Sequence, residues 1–580
     1  MKSITGSVCL AAIAILPVAF ASAPDDLDTY IQAQMAQREI NGLSLAIIHD
    51  GKIDARAYGV TSRGGTQVTT STLFQAGSIS KPVAAMGALR LVDQGLLSLH
   101  EDVNVKLKSW KVPENEFTTT EKVNLRALLS HSAGLTVHGF PGYDVTERMP
   151  TVVEVLDGKG NTAPVRVNVV PWSITRYSGG GYTVMQLLVS DVTGKPFDQY
   201  MREAVLAPLG MTSSTYQQPL PPDRAALTAS GYYADRSAVS GKWHVYPEMA
   251  AAGLWTTPTD LARFAIEIQH SLASKSNKVL SQAMTREQLT DVGSSNYGLG
   301  LAVTGTGAAS TFGHNGRDAG FDAMLLAFTE TGQGLVVMIN ANDNSSMMAR
   351  ITTAVERKFN WPQRSSSPTP AATKGMTPGI PLDTVTGRYE FTSNNMLTLI
   401  SKGESLFTDV NGLPDEEFVG MGGDRFGSTW RNVSFTIARD STGAVIGLSW
   451  NEYGKKREIP RIGPLFASMK PVSDPDPAFT KSVDAAVRAF ALGGEAVRSL
   501  QVLTPGGRKN LSGTPVRQLA DVRGVTYVSS QDLAGRRIER HGSAVAKVLF
   551  YRVQTAQGSR LLLVHVTSDH LIADYDVVEK

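Results

Sequence analysis

The chain has a single cysteine, Cys9, in 580 residues. One thiol cannot close an intrachain disulfide. Its place in an N-terminal apolar run also removes it from any cysteine nucleophile or thiolate metal site of a mature protein. An excess of one charge is missing as well: 55 basic against 53 acidic residues leave +2, interspersed with no long block of one sign. That excludes the electrostatic footprint of a nucleic-acid or anionic-membrane binder. Beyond the first twenty residues no apolar run is long enough to span a bilayer. The sequence has no Gly-x-Ser-x-Gly elbow, no His-Glu-x-x-His and no Gly-x-x-x-x-Gly-Lys-Ser/Thr loop, so α/β-hydrolase, zincin and P-loop chemistries lack their signatures. Neither metal-ligand spacing nor a dinucleotide loop is present, and no cofactor is implied. The partner left by these exclusions is a small molecule or short peptide, with no nucleic acid and no stable membrane span; the oligomeric state is not encoded in any motif.

What is there begins with Lys2, an apolar run from Ile4 to Phe20 and the small-residue patterns Ala19-Phe20-Ala21 and Ala21-Ser22-Ala23. These predict a cleavable signal peptide over 1–23 and hence a periplasmic or secreted protein. Residues 24–360 read as one catalytic-sized unit. Its first two strands, Leu43 to Tyr58, turn at Asp50-Gly51, and it closes with a strand at Leu335 to Ile339 and a helix from Ser346 to Phe359. A Pro/Ser/Thr/Gly-rich linker is expected over 361–381. Short alternating segments over 382–470 predict a small β-barrel. A helix starting at Asp476, followed by strands at Arg560 to Val566 and Leu571 to Val578, predicts an α+β domain over 471–580.

The chemistry is carried by Ser78-Ile79-Ser80-Lys81. A serine hydroxyl is a weak nucleophile at neutral pH and needs a base beside it, and residues three apart on a helix are neighbours. Pro82 is tolerated only near a helix start, which places Ser78 at the N-terminus of a helix whose apolar positions Val83, Met86 and Leu89 recur up to Gln94-Gly95. The N-terminal N–H groups and partial positive charge there suit a developing oxyanion.

Two further segments could complete such a site. Tyr177 precedes Ser178-Gly179-Gly180-Gly181 on an expected loop, where glycines allow close backbone approach and a phenol near an ammonium can relay a proton. In Phe312-Gly313-His314-Asn315-Gly316-Arg317, a histidine between glycine turns is expected at a cleft edge, just before a strand from Met324 to Phe328. His131, between Ser130 and Ser132, reads as a helix-end packing residue rather than a base.

Together these motifs resemble the serine β-lactamase and penicillin-binding-protein superfamily. The likeness is to its class C-like branch of family VIII esterases and D-aminopeptidase-type hydrolases, over residues 25 to 360. That branch has Ser-x-x-Lys, Tyr-x-Asn and Lys-Thr-Gly or His-x-Gly in this order, here Ser78–Lys81, Tyr177–Gly179 and His314–Gly316. The stretches Leu128 to Leu135 and Gly253 to Ala262 support it. The resemblance implies an α+β fold: a β-lactamase-like antiparallel sheet flanked by helices plus an all-helical lobe, followed by a lipocalin-like barrel and the small α+β domain. It implies catalytic roles for Ser78, Lys81 and Tyr177, and oxyanion or substrate contacts from His314, Gly316, Arg317 and Gly179. Gly179 stands where the asparagine of Tyr-x-Asn would be, and His314-Asn315 replace the Lys-Thr pair. Both departures argue against efficient β-lactam hydrolysis and leave the acylation machinery whole.

The function expected is an exported serine hydrolase acting on an amide or ester in a small or peptide-like substrate, with peptidase favoured slightly over a family VIII carboxylesterase. A non-catalytic penicillin- or peptidoglycan-binding protein is the alternative from a different class.

Overall fold

The structure is a computed structural model. It describes residues 26–578 apart from 50, 294, 363, 365–370, 373–378, 393–394, 411–412, 453, 466–467, 513–515, 534–538 and 557. The expected signal peptide, Asp50 of the expected turn and much of the expected linker lie outside the described residues.

The first unit is built on a six-stranded antiparallel sheet. Helix α1 (Leu27–Gln37) leads into β1 (Gly42–His49) and β2 (Lys52–Gly59), paired in register from Gly42–Gly59 to His49–Lys52. The rest of the sheet comes some 240 residues later in the chain: β3 (Ala302–Thr304), β4 (Thr311–Asp318), β5 (Phe321–Phe328) and β6 (Gly334–Ile339). The order across the sheet is β2-β1-β6-β5-β4-β3. Strand β1 is buried along nearly its whole length. The reason is that helices cover both faces. Leu43, Leu45 and Ile47 pack towards α1 and α7 (Met347–Lys358), while Ala46 and Ile48 pack towards the helical lobe. Each fully buried side chain of this size stabilises the fold by about 1.5–3 kcal/mol.

Between β2 and β3 the chain forms that lobe. Its main helices are α2 (Ser80–Asp93), α3 (Leu125–Leu129), α4 (Gly179–Thr193), α5 (Met249–Ala252) and α6 (Pro258–Leu272). Helices α2 and α4 are apolar nearly all round and buried at almost every position, which makes them the centre of the lobe.

A closed barrel of eight antiparallel strands follows, running from Gly387–Thr392 to Lys455–Gly463. Its interior is a packed aromatic core: Phe435 stacks on Trp450 with ring centroids 5.8 Å apart and on Phe426 at 5.3 Å. Asp415 and Trp430 of the barrel reach the first unit. Asp415 accepts from Arg38 at 2.8 Å, and Arg350 lies 5.2 Å from the Trp430 ring. The chain ends in a four-stranded antiparallel sheet packed against α8 (Pro477–Leu492), whose N-cap Asp476 accepts from the Phe479 N–H at 3.0 Å. The α+β fold with sheet, helical lobe and barrel is as the sequence led us to expect. No helix among the described residues is long and apolar enough to cross a membrane.

Candidate active site

The nucleophile candidate sits on a turn locked from three sides. Gly77 has φ +51, a left-handed conformation that a side chain would strain, and it opens a single 3₁₀ turn, Gly77–Ile79, before α2 begins at Ser80. Ser78 therefore precedes the α-helix by one short turn instead of starting it. Ser80, fully buried, donates to the Gly77 carbonyl at 2.6 Å and accepts from the Leu254 N–H at 3.0 Å. One residue on, Lys81 is 2% exposed and its Nζ donates to Ser78 Oγ at 3.0 Å and to the Ala251 carbonyl at 2.8 Å. The three-residue spacing does what helical geometry requires of it.

Tyr177 faces this pair from the entrance of α4, with Lys81 Nζ 4.9 Å from its ring centroid. Its hydroxyl is buried and has no hydrogen-bond partner among the described residues, so it is available to a reacting group. The following glycines are not a loop. Gly179–Gly181 form the first turn of α4, capped by Ser178, whose Oγ accepts from the Gly181 N–H at 3.0 Å and donates to the Thr136 carbonyl at 2.8 Å. Glycine is used there for close packing on residues 136–140: a Cβ at 179 would lie 3.0 Å from the Phe140 ring and 3.1 Å from the His138 carbonyl. Gly179 is thus buried against that segment.

His131 holds Tyr177 in place. Its carbonyl accepts from the Arg176 N–H at 2.8 Å and its Nδ1 from the Ser178 N–H at 3.1 Å, while the two rings lie 4.2 Å apart. Accepting at Nδ1 fixes the tautomer with hydrogen on Nε2, and burial together with the Lys81 charge pushes the imidazole well below its ordinary pKa. His131 is neutral, and it is more than a packing residue.

The opposite wall is β4. Its partner β3 covers only residues 311–313, so positions 314–317 present a free edge to the Gly77 turn. His314 lies within this strand, not on a loop before one. Gly313 and Gly316 leave the strand extended and serve close approach instead of turning: a Cβ at 316 would overlap the Ala76 carbonyl, and one at 77 would overlap the Arg317 backbone. His314 is pushed down to about 3 by burial, with Lys81 adding to the shift, and it is neutral at physiological pH. The Arg317 side chain turns away into a two-bonded pair with Asp322, Nε to Oδ1 at 2.7 Å and Nη2 to Oδ2 at 2.5 Å. A cavity of about 650 Å³ is lined by Ser78, Tyr177, His314, Gly316 and Arg317 together. It also takes in His138 and Tyr297, which no local sequence pattern marks.

A family model described as Beta-lactamase matches residues 27–358, more than half of the chain. The chain belongs to the beta-lactamase family. Penicillin-binding protein 4 of Amycolatopsis lactamdurans is 28% identical to this beta-lactamase-family chain over 328 residues, 53% of it and 83% of the relative. Penicillin-binding protein 4* of Bacillus subtilis (strain 168) is 21% identical over 450 residues, 72% of this chain and 95% of its own. The solved octameric penicillin-binding protein homologue from Pyrococcus abyssi superposes with a TM-score of 0.50 at 19% identity, covering 75% of this chain and 99% of that one, a likeness of fold. Family membership makes the protein a serine hydrolase by type.

Proposed function

We propose that the protein is an exported serine hydrolase that forms an acyl-enzyme on Ser78 and cleaves an amide bond in a small or linear peptide-like substrate. The observation that carries this reading is the 3.0 Å contact between Lys81 Nζ and Ser78 Oγ, made in one cavity with an unpartnered tyrosine hydroxyl and a free strand edge. In this mechanism Tyr177 enters the step as its phenolate, paired with the Lys81 ammonium, and Ser78 Oγ attacks the acyl carbon as its proton passes to the Tyr177 oxygen. The carbonyl electron pair moves onto oxygen, which the backbone N–H groups of Ser78 and Arg317 receive. Collapse expels the leaving amine, which takes the proton back through Tyr177. Water then attacks the acyl-enzyme by the same relay and regenerates Ser78 Oγ–H. Lys81 orients Oγ and balances the negative charge in the relay.

A neutral His314, and an Arg317 engaged with Asp322, supply no free cation where a β-lactam carboxylate would sit, which supports a preference for peptide-like amides over antibiotics. Export rests on the apolar N-terminus and its small-residue cleavage patterns. The test is intact-mass spectrometry of wild type and S78A, each mixed with a short ester, L- and D-residue peptide amides and a penicillin. An acyl adduct or product release with wild type alone, on an amide, supports the proposal. Turnover of the ester with every peptide left intact would make the protein an esterase, and reaction of neither protein would leave only a binding role.

A further inference from the structure

The barrel touches the first unit at a buried charge, and that charge is linked step by step to the strand facing Ser78. Asp415, 8% exposed, accepts from Arg38 Nη2 at 2.8 Å, from Ser346 Oγ at 3.0 Å and from Arg350 Nη2, which reaches its carbonyl at 2.7 Å and its carboxylate at 3.3 Å. Ser346 is the N-cap of α7, so a barrel carboxylate sits at the start of that helix. Immediately before it lies the turn that grips the oxyanion strand. The Asp343 carbonyl and Asn344 Oδ1 accept from Arg317 at 3.0 and 2.8 Å, and the Asp343 N–H donates to Asp322 at 2.8 Å. A second route runs through Arg236, whose Nε donates to the Arg38 carbonyl at 2.9 Å and whose Nη2 lies 3.6 Å from Asp343.

Four guanidinium groups, Arg38, Arg236, Arg317 and Arg350, are thus set against three carboxylates, Asp322, Asp343 and Asp415. Arg38 is 1% exposed and Arg236 is 7% exposed. Such cations do not tolerate loss of a partner, because an unpaired buried charge draws in water or pulls its neighbours into new pairs. The one carboxylate of the set that the first unit does not supply is Asp415.

We infer that Asp415 is a positioning residue for the hydrolase site: by neutralising Arg38 and Arg350 and holding the Ser346 hydroxyl at the start of α7, the barrel fixes the 342–346 turn, and through Arg317 the N–H that receives the acyl oxygen. This rests on the acyl-transfer reading above. The barrel then belongs to the active site energetically while lending it no reacting atom.

The test measures phenylboronic acid affinity, which requires a tetrahedral oxyanion-like adduct on Ser78, and kcat and KM for p-nitrophenyl butyrate, in full-length wild type, D415N, D415E and S346A. In D415N, boronate affinity and kcat should fall together about tenfold or more, with KM within about twofold, as expected when an oxyanion donor is displaced and ground-state binding is kept. D415E, which keeps the charge, should recover part of both. S346A removes the hydrogen bond that Ser346 donates to Asp415 and the one it accepts from Arg350 Nε, and leaves every charge in place. It should shift the same two readouts about threefold in the same direction, and it carries the test if D415N fails to fold. A folded D415N, or in its place S346A, with unchanged boronate affinity overturns the inference. Failure of wild type to bind the boronate overturns the acyl-transfer reading itself.

Discussion

Adding one methyl group at Gly316 should separate the two walls of the site. A Cβ there would stand 2.9 Å from the Ala76 carbonyl carbon, closer still to its oxygen, and 3.3 Å from Ile79 Cγ1. Carbon atoms prefer about 3.5–4.0 Å, so G316A must open the gap between β4 and the Gly77 turn by on the order of 1 Å. Both sides resist. The turn is locked by Ser80, which bonds Gly77 and Leu254, and β4 is paired along its other edge with β5 from Thr311–Phe328 to Asp318–Phe321. The displacement therefore falls on the interval between Ser78 and the Arg317 N–H. A misplacement of about 1 Å in a reacting constellation costs roughly a hundredfold in rate, similar to losing one oxyanion donor. Overpacking of this kind also destabilises by about 1–3 kcal/mol. The assay is kcat and KM for a p-nitrophenyl ester beside a thermal melt. The expected result is kcat lower by about a hundredfold, KM little changed, and a melting transition still present at lower temperature. A folded G316A with kcat within about threefold of wild type would refute the claim that the narrow gap between residues 76 and 316 sets the position of the oxyanion donor.

Other outcomes follow from the same geometry. K81A, which removes the only side-chain amine that hydrogen-bonds Ser78 Oγ among the described residues, should lower kcat/KM by about a thousandfold in ester hydrolysis, with fold and melting temperature close to wild type. Glu248, whose buried carboxylate has no partner among the described residues, is pushed up to about 8 by burial. A raised carboxyl pKa means that the folded chain holds a proton which the unfolded chain releases above about 4.5, so stability falls as pH rises from about 4.5 to 8 and levels off above. The full span is on the order of 5 kcal/mol, and E248Q should be more stable than wild type at pH 9 with little difference at pH 4, read by denaturant melts. His314, at about 3, should contribute no limb to the pH–rate profile between 5 and 9, and H314N should preserve the profile's shape whatever it does to its height. H131A leaves the Ser178 N–H unpaired in a buried place, costing about 1–3 kcal/mol, and should slow the enzyme by freeing Tyr177.

The Ser78–Lys81 pair was legible because it obeys a local rule: three residues of helix bring two side chains together whatever the tertiary surroundings. The hairpin of β1 and β2 was legible for the same reason. Position 314 was misread as a loop because glycines were taken as turn formers. In this chain Gly313 and Gly316 are extended, their missing side chains answering to atoms of Leu325 and Ala76, which lie far from each of them in sequence or across the sheet. The same holds for Gly179 and Gly180, helical and pressed on residues 136–140. His131 was noticed and undervalued, since its acceptor role depends on the Ser178 N–H, 47 residues away. His138 and Tyr297 could not be read at all; each comes to the cavity by packing alone, with no motif around it. The charge chain to Asp415 joins residues 377 positions apart and is beyond any local pattern.

These distances also divide the labour of the site between two bodies of structure. The proposed nucleophile and proton relay lie in the helical lobe, where Ser78 precedes α2 by one turn, Lys81 lies in its first turn, Tyr177 precedes α4, and Ala251 and His131 accept hydrogen bonds from Lys81 and Ser178. The proposed oxyanion side belongs to the sheet, and Asp322, Asp343 and Asn344, which hold the Arg317 side chain, connect it towards α7 and the barrel. The two sides meet at Gly77 and Gly316. A change in the lobe core should therefore alter how readily Ser78 is activated, which is read in the pH dependence of acylation. A change at the barrel contact should leave that dependence in place and reduce transition-state affinity. Varying the leaving group separates them further: activated esters, which need little help to expel their alcohol, will mask loss of proton return to the leaving group while still reporting loss of Ser78 activation and damage to the oxyanion side, and amides will report all three.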